Sequence, residues 1–201
     1  GQTRQPMQEA LKDIDVILFD IPDVGCRFYT YLWTMTYVME ACAEQRLEMI
    51  VLDRPNPIGG DLDVAEGPML DEEHCSSFIG RWSIPIRHSC TLGELALYFQ
   101  NIRLPQLKLT VIPCQHWQRQ SLFTNPQWFT PTSPAIQDVH SAMLYPGSGL
   151  WEGVNLQEGR GTDFAFSQVG APWLDADFIQ NLSQQDFEGL QLIPQCFRPK
   201  N

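Results

Sequence analysis

The sequence predicts an α/β protein: a Rossmann-like, mostly parallel sheet with helices on both faces, joined to part of a second α+β subdomain. Two short apolar runs, 16–21 and 49–52, carry Asp20 at the end of the first and Asp53 directly after the second. A longer segment with helical spacing separates them, so the order is strand, helix, strand. Such a βαβ unit places the carboxyl ends of its strands at one edge of the sheet, where ligands bind. The two aspartates are therefore predicted at adjacent strand ends, facing one cleft.

The helix between the runs is predicted over residues 29–45, where Leu32, Thr36, Met39 and Ala43 share one face. The runs themselves are short and rich in branched side chains, as in strands that are covered on both faces. Helices are therefore expected on both sides of the sheet.

Two further elements complete the first subdomain, which is assigned to residues 1–115. Thr91 and Glu94 have the spacing of a capping box, in which each side chain bonds a free amide at the start of a helix. That helix is predicted over residues 92–101, and the apolar residues 107–112 form a third strand.

The second subdomain, assigned to residues 116–201, begins with an irregular stretch rich in tryptophan and proline. Residues 145–162 hold several glycines and charges and are long for a plain connection, which favours an ordered functional loop. Asp175 is placed to cap a helix that ends near residue 184, and residues 190–193 form a last strand.

Charge and composition exclude several classes of partner. With 24 acidic and 13 basic side chains the net charge is −11. Sequence-independent binding of nucleic acid needs clustered Lys and Arg, so no nucleic-acid partner is expected. No apolar run approaches the ~18 residues of a membrane span, so no membrane insertion is expected.

The six cysteines lack the spacing of a small disulfide domain and are expected to be mostly buried free thiols. Nothing in the composition specifies an oligomeric state.

Two isolated motifs suggest other chemistries. Asp20 ends a strand as the nucleophile of haloacid-dehalogenase-like phosphatases does, but the second aspartate that those enzymes need two positions later is Pro22. A His-X-Cys pair at 88–90 and a Cys-X-His pair at 114–116 have short spacings, yet structural zinc usually uses two ordered pairs such as CxxC. No metal site and no cofactor are predicted.

Residues 159–162, Gly-Arg-Gly-Thr, are too short for a phosphate-binding loop and lack its Lys-Ser/Thr ending. The glycines let backbone approach a ligand, and the Arg160 guanidinium can fork onto a carboxylate. Glu152, Asn155 and Glu158 come just before it. Two carboxylates, an amide and an arginine suit sugar chemistry, and a solvated loop explains them equally well.

Eight motifs stand in register along the chain to about residue 175. They are FDIPDVGCRFYTY at 19–31, VLDRPNP at 51–57, EGP at 66–68, SFIG at 77–80, PIRH together with TLGELA as one motif within 85–96, YPG at 145–147, EGRGT at 158–162 and GAPW at 170–173. Their set and order resemble the exo-acting β-N-acetylmuramidases, a family first catalogued as a domain of unknown function.

The resemblance implies a Rossmann-like subdomain and a second subdomain, with the active site in the cleft between them. Family members extend further at both ends, and their N-terminal Glu-His-Gly motif, a candidate for catalysis, has no counterpart here. This stretch alone is therefore expected to be inactive or nearly so. The chain departs from the family pattern at Pro22, usually Gln, at Ser89, usually Gly, and at Ala135, usually Asn.

The reaction that the resemblance implies is hydrolysis of a β-glycosidic bond, releasing N-acetylmuramic acid from the non-reducing ends of peptidoglycan fragments during cell-wall turnover or recycling. A glycosidase needs an acid for the leaving oxygen and a second group on the opposite face of the sugar. The acetamido group of the substrate could supply that second group. The candidates for acid or base are Glu158 and Glu152, with Asp20 and Asp23 as orienting residues.

Muramic acid differs from glucosamine by a lactyl carboxylate, so its site should present a cation. Arg160 is the first candidate for that role, followed by Arg27 and His88. Further candidates for binding the substrate are Asn56, Asn155 and Tyr29.

Two other functions stay open at this point. One is a peptidoglycan-recognition module with the same motifs and no turnover. The other is a nucleotide- or phosphate-ester-processing enzyme, which the lack of a GxGxxG motif after a strand disfavours. The expected partners are muramyl saccharides derived from peptidoglycan. The expected location is periplasmic or secreted, with the cytoplasm as the alternative.

Overall fold

The computed structural model describes residues 4–120 and 129–200, and the chain divides into two units, 1–132 and 133–201. The sequence places the boundary earlier, after residue 115. Residues just beyond that point associate with the first unit, because the Gly60 amide donates to the Arg119 carbonyl at 2.8 Å and the Arg119 side chain donates to the Gly60 carbonyl at 2.7 Å. Part of the predicted Trp- and Pro-rich stretch, residues 121–128, lies outside the described residues.

The first unit is built on a three-stranded parallel sheet with strand order β1-β2-β3. In chain order its elements are a 3-10 helix Gln8–Leu11, β1 (Val16–Phe19), α1 (Tyr31–Gln45), β2 (Glu48–Leu52), a 3-10 helix Leu62–Val64, α2 (Glu72–Cys75), α3 (Leu92–Arg103) and β3 (Lys108–Ile112). The predicted α/β class with a parallel sheet is confirmed.

The core lies between one face of this sheet and the two longer helices. Side chains alternate along a strand, and Phe19, Met49 and Val51 lie on the buried side. Trp33 of α1 and Phe99 of α3 join them there, with ring centroids 6.2 Å apart. Burial of these large side chains holds helices and sheet together.

The other face of the sheet is open among the described residues. It carries Val16, Leu18 and Ile112, and Leu18 is 63% exposed. The predicted helices on both faces are therefore found on one face of the part that the structure describes. Branched apolar residues on both sides of a strand predict that both sides are buried, but they do not say which segment covers them.

Local signals placed the helix ends well. The Thr91 hydroxyl accepts from the Glu94 amide at 3.2 Å and the Glu94 carboxylate accepts from the Thr91 amide at 2.9 Å, which confirms the capping box of α3. Helix α1 begins two residues later than predicted and ends at Gln45, as predicted, and Arg46 caps it in a left-handed conformation with φ of 57°.

The second unit contains α4 (Val139–Ser148), a 3-10 helix Gly149–Gly153 and α5 (Ala176–Ser183). The predicted cap of α5 is confirmed, since Asp175 accepts two amide hydrogen bonds from its first turn. The predicted strand at 190–193 is wrong, because Leu190 forms only an isolated bridge. The predicted loop 145–162 begins inside α4, with Pro146 in its last turn. The glycine and proline content of residues 145–148 predicted a loop, but these residues form the last turn of α4.

All six cysteines are free thiols, as expected, but only Cys26 and Cys42 are buried, while Cys75 and Cys196 are exposed. Burial raises the pKa of Cys42 and of Cys90 to about 11. No helix in residues 4–120 or 129–200 combines the length and the apolar character needed to cross a bilayer.

Candidate active site

The ends of β1 and β2 lie side by side, because Phe19 pairs with Val51, so Asp20 and Asp53 follow adjacent strands as predicted. Their carboxylates are used differently. Asp53 accepts from the Thr91 hydroxyl at 2.7 Å and from the Gly93 amide at 2.8 Å, which holds the first turn of α3 against the sheet. A carboxylate at a helix N-terminus satisfies free amides and opposes the helix dipole. Asp53 is therefore part of the scaffold.

Asp20 faces outward and pairs with Arg54, with 2.7 Å between Asp20 Oδ1 and Arg54 Nε. The hydrogen bond from Arg54 lowers the pKa of Asp20, against a small opposing effect of burial. Asp20 is ionised near neutral pH and acts as a hydrogen-bond acceptor there. This fits its predicted orienting role better than that of an acid.

Asp23 and His88 form a buried pair, with side chains only 8% and 1% exposed. The Cys90 amide donates to His88 Nδ1, so the ring proton lies on Nε2, which donates to Asp23 Oδ2 at 3.2 Å. Asp23 Oδ2 also accepts from the Gly25 amide at 2.9 Å, whereas Oδ1 is buried and has no hydrogen-bond partner among the described residues. Both ring nitrogens of His88 are therefore engaged within the protein.

Asp23 and Arg54 line a small cavity of about 60 Å³ beyond the strand ends. Asp20 holds the guanidinium through Nε, and no described residue bonds its Nη1 or Nη2. The remaining walls are Pro22, Pro55, Pro57, Phe129 and Thr130. A larger cavity of about 530 Å³ lies beside the N-terminal 3-10 helix and α1, and none of the predicted site residues lines it.

Arg27 and Tyr29 brace the segment that carries Asp23. Arg27 Nη1 donates to the carbonyls of Pro68 and Ile84, each at 2.6 Å, and burial lowers the pKa of Arg27. The buried Tyr29 ring packs edge-on against Tyr31 with centroids 5.2 Å apart. The contacts of Arg27 are to backbone, and its binding of a substrate carboxylate stays a prediction.

Asn56 is buried and links two loops at the same edge of the sheet. Its Oδ1 accepts from the Ile58 amide at 3.1 Å and its Nδ2 donates to the Cys90 carbonyl at 3.0 Å. A Cβ at Gly25, whose φ is +83°, would lie only 2.4 Å from Asn56 Oδ1, so glycine is required there. Asn56 thereby fixes the loop around the Asp23 and His88 pair.

In the second unit Arg160 bridges the two predicted acid–base candidates. Its Nε lies 2.8 Å from Glu158 and its Nη2 is ion-paired with Glu152. Partial burial disfavours the charge, but hydrogen bonding and attraction from Glu152 and the charge of Glu158 outweigh it, so the pKa of Arg160 is raised. The guanidinium also lies over the Phe166 ring, 4.9 Å from its centroid. Asn155, nearby in sequence, is exposed.

We expect Arg160→Ala to lower the free energy of unfolding by about 1 kcal/mol, because the variant leaves the largely buried Glu158 carboxylate without its cation. The loss of stability is small because the guanidinium is half-exposed and solvent screens its charge. Arg160→Lys should lose less stability than Arg160→Ala, because lysine restores the charge without the planar fork. Urea unfolding of both variants measures this. Unchanged stability with a loss of preference for muramide over glucosaminide would contradict bracing and support the predicted lactyl clamp.

Sequence reasoning did not select Arg54 as a site residue. The signal available was its position: it lies two residues after the end of the central strand, between Asp53 and a proline. Residues at that position in a parallel sheet commonly face the ligand.

Among the described residues, no three His, Cys, Asp or Glu side chains converge as metal ligands. The His-X-Cys pair at 88–90 is instead joined by the hydrogen bond from the Cys90 amide to the His88 ring.

A parallel α/β unit with a polar cavity beyond its strand ends is typical of enzymes that bind their ligand at that edge. Family comparison specifies which enzymes these are. The model of exo-β-N-acetylmuramidase NamZ, N-terminal, matches residues 1–140, and the corresponding C-terminal model matches residues 143–201. The chain belongs to this family, which confirms the resemblance found in the motifs.

Individual relatives agree. The peptidoglycan β-N-acetylmuramidase NamZ of Bacillus subtilis (strain 168) is 41% identical over 201 residues, covering 99% of this chain and 48% of the relative. Two crystal structures of DUF1343 family proteins from Bacteroides fragilis NCTC 9343 are similar. The first has a TM-score of 0.81 and 39% identity over 90% of this chain and 48% of its own. The second has a TM-score of 0.74 and 38% identity over 83% and 46%. The chain spans about half the length of these relatives.

Proposed function

We propose that the protein is a glycoside hydrolase that releases N-acetylmuramic acid from the non-reducing ends of peptidoglycan fragments. The observation that carries this proposal is the 41% identity, across 99% of this chain, to a peptidoglycan β-N-acetylmuramidase. Because the chain spans about half of that relative, the activity is proposed for the protein at its natural length. Muramyl saccharides are the proposed substrates, and a periplasmic or secreted location is proposed because such saccharides derive from the cell wall.

The acidic residues divide between two kinds of role in this proposal. Glu152 and Glu158 are both ion-paired with Arg160, and Glu152 also accepts hydrogen bonds from it, an arrangement that suits a base or a carboxylate that stabilises positive charge on the sugar. Asp20 and Asp23 lie at the strand ends of the first unit, where they orient other groups: Asp20 holds Arg54, and Asp23 is held by His88.

A second candidate is a peptidoglycan-binding module without turnover. The observation that favours it is the pairing of both glutamates with one arginine, so that each carboxylate already has a cationic partner within the protein. Binding without hydrolysis needs no proton donor, so this arrangement would serve it equally well.

Incubation with para-nitrophenyl N-acetyl-β-muramide distinguishes the two functions. We expect the protein at its natural length to release nitrophenol, more slowly from the matching N-acetylglucosaminide. Release should persist in the presence of a chelator, because no metal-ligand cluster forms in the described part of the chain. Saturable binding of the muramide with no nitrophenol would refute hydrolysis and leave the binding module.

A further inference from the structure

The backbone of Phe166 adopts a conformation that a bulky residue rarely takes. Its φ is 63°, in the left-handed region, although the residue is only 1% exposed and has no glycine-like freedom. This conformation costs free energy, and it persists only where the surrounding contacts hold the residue in place. Strained residues of this kind cluster at active sites and ligand-binding sites, so the contacts of Phe166 indicate its role.

Two contacts connect Phe166 with the charged loop of the second unit. The Phe166 amide donates to the Glu158 carbonyl at 2.7 Å, so the strained backbone is bonded to a residue that carries one of the two predicted acid–base groups. The Phe166 ring lies under the Arg160 guanidinium, with 4.9 Å between Arg160 Cζ and the ring centroid. The buried Tyr145 packs edge-on against the same ring, with centroids 4.7 Å apart. The ring is therefore fixed by a second aromatic side chain where it contacts the cation.

The Phe166 ring restricts the guanidinium in a way that the two ion pairs do not. Glu152 and Glu158 bind Arg160 along its edge, through Nε and Nη2. Because the guanidinium is half-exposed, water competes for these ion pairs, and they hold it only weakly. The face of an aromatic ring attracts the flat guanidinium and favours one plane for it. The ring thereby limits the positions that Arg160 and both carboxylates can take.

We propose that Phe166 is a positioning residue for hydrolysis: it acts through Arg160 to hold the carboxylates of Glu152 and Glu158 in one arrangement. This role rests on the proposed function, in which those two glutamates act on the sugar. Without the ring the ion pairs still form, but the guanidinium and both carboxylates take up several arrangements. A small displacement of groups that act in the chemical step lowers its rate strongly, whereas contacts to the rest of the substrate are kept.

A double-mutant cycle with Phe166→Leu and Arg160→Ala tests this role, measured as hydrolysis of the nitrophenyl muramide by the protein at its natural length. Leucine keeps an apolar side chain and removes the ring. We expect Phe166→Leu to lower kcat about tenfold and to change KM less than about twofold. In the Arg160→Ala background the same substitution should lower kcat less than about twofold, because the cation through which the ring acts is gone.

The Nε–H signal of Arg160 in heteronuclear NMR spectra gives a second readout, which does not need turnover. In the wild type this group donates to Glu152, so its proton should exchange slowly with water and its chemical shift should differ from that of free arginine. Phe166→Leu should move both quantities toward the values of free arginine. Arg160→Lys assigns the signal by removing it. Phe166→Met is measured in parallel, because its flexible side chain fills the space without a ring, and thermal unfolding shows which variants fold.

Phe78→Leu is the matched control. The Phe78 ring also lies under an arginine, 5.2 Å from Arg4 Cζ, and beside a tyrosine ring, with its centroid 6.3 Å from that of Tyr37. Its backbone is not in the left-handed region, and it lines neither cavity. This variant should keep the wild-type kcat and the wild-type Nε–H signal of Arg160, so that loss of a ring under any arginine is separated from loss of the ring under Arg160.

The outcomes separate this role from the proposed function. A wild type that hydrolyses no muramide refutes the hydrolase, and the Nε–H signal then shows alone whether Phe166 orders Arg160. Folded Phe166→Leu and Phe166→Met proteins with the wild-type kcat and an unchanged signal refute the positioning role and leave the hydrolase intact. Equal losses of kcat from Phe166→Leu with and without Arg160 also overturn it, because the ring would then act by packing alone.

Discussion

Replacing Gly93 by Ala is expected to lower the free energy of unfolding by about 3 kcal/mol, at the upper end of the effect of overpacking a core. A Cβ at this position would lie 2.6 Å from Asp53 Cγ and 2.7 Å from Val111 Cγ1. Neither neighbour can move away easily, because Val111 is held in β3 by its pairing with Val51 of β2, and Asp53 is bonded to the first turn of α3. Helix α3 would have to move away from the sheet and weaken both hydrogen bonds to Asp53.

Gly147→Ala is the control for this variant. Gly147 also lies in a helix, α4, and nothing lies within 4 Å of a Cβ added there. Alanine should be neutral or stabilise by up to about 1 kcal/mol, since it restricts the unfolded chain more than glycine does. Urea unfolding of both variants gives the comparison. Equal stability of Gly93→Ala and the wild type would mean that α3 is not held tightly against the strand ends.

Gly93 and its neighbours also show what the sequence could predict. The capping box of α3 was predictable because it depends on two residues three positions apart. The role of Asp53 was not, because a carboxylate at a strand end can face a ligand cleft or a neighbouring helix. Which of these happens depends on how the end of β2 lies against α3, and Asp53 bonds residues about forty positions away.

The candidate site residues also divide into those whose contacts the sequence could predict and those whose contacts it could not. Glu152, Glu158 and Arg160 lie within nine residues, and the structure brings all three together. Asp23 and His88 are 65 positions apart, and the sequence predicted separate roles for them. Asp23 was expected to orient other groups, and His88 was expected to bind the lactyl carboxylate of the substrate. Their pairing depends on the folded loops around the strand ends, and no local spacing encodes it. The open face of the sheet in the described residues could likewise not be predicted from the sequence, because apolar strands have the same pattern whichever segment covers them.

His88→Ala is expected to have the second large effect, a loss of about 3 kcal/mol in the free energy of unfolding. It removes the donor from Asp23 Oδ2, leaves a buried carboxylate with only the Gly25 amide, and opens a cavity where the ring was. His74 offers a matched control, because it also pairs with an aspartate, 2.9 Å from Asp71, but on the exposed surface. His74→Ala should unfold at the same urea concentration as the wild type.

Stability alone does not distinguish a structural histidine from one that positions Asp23 for the substrate. If His88 positions Asp23, His88→Gln should recover activity better than His88→Phe, because the glutamine amide can donate to Oδ2 and phenylalanine only fills the space. Equal recovery by both variants would assign His88 to packing only.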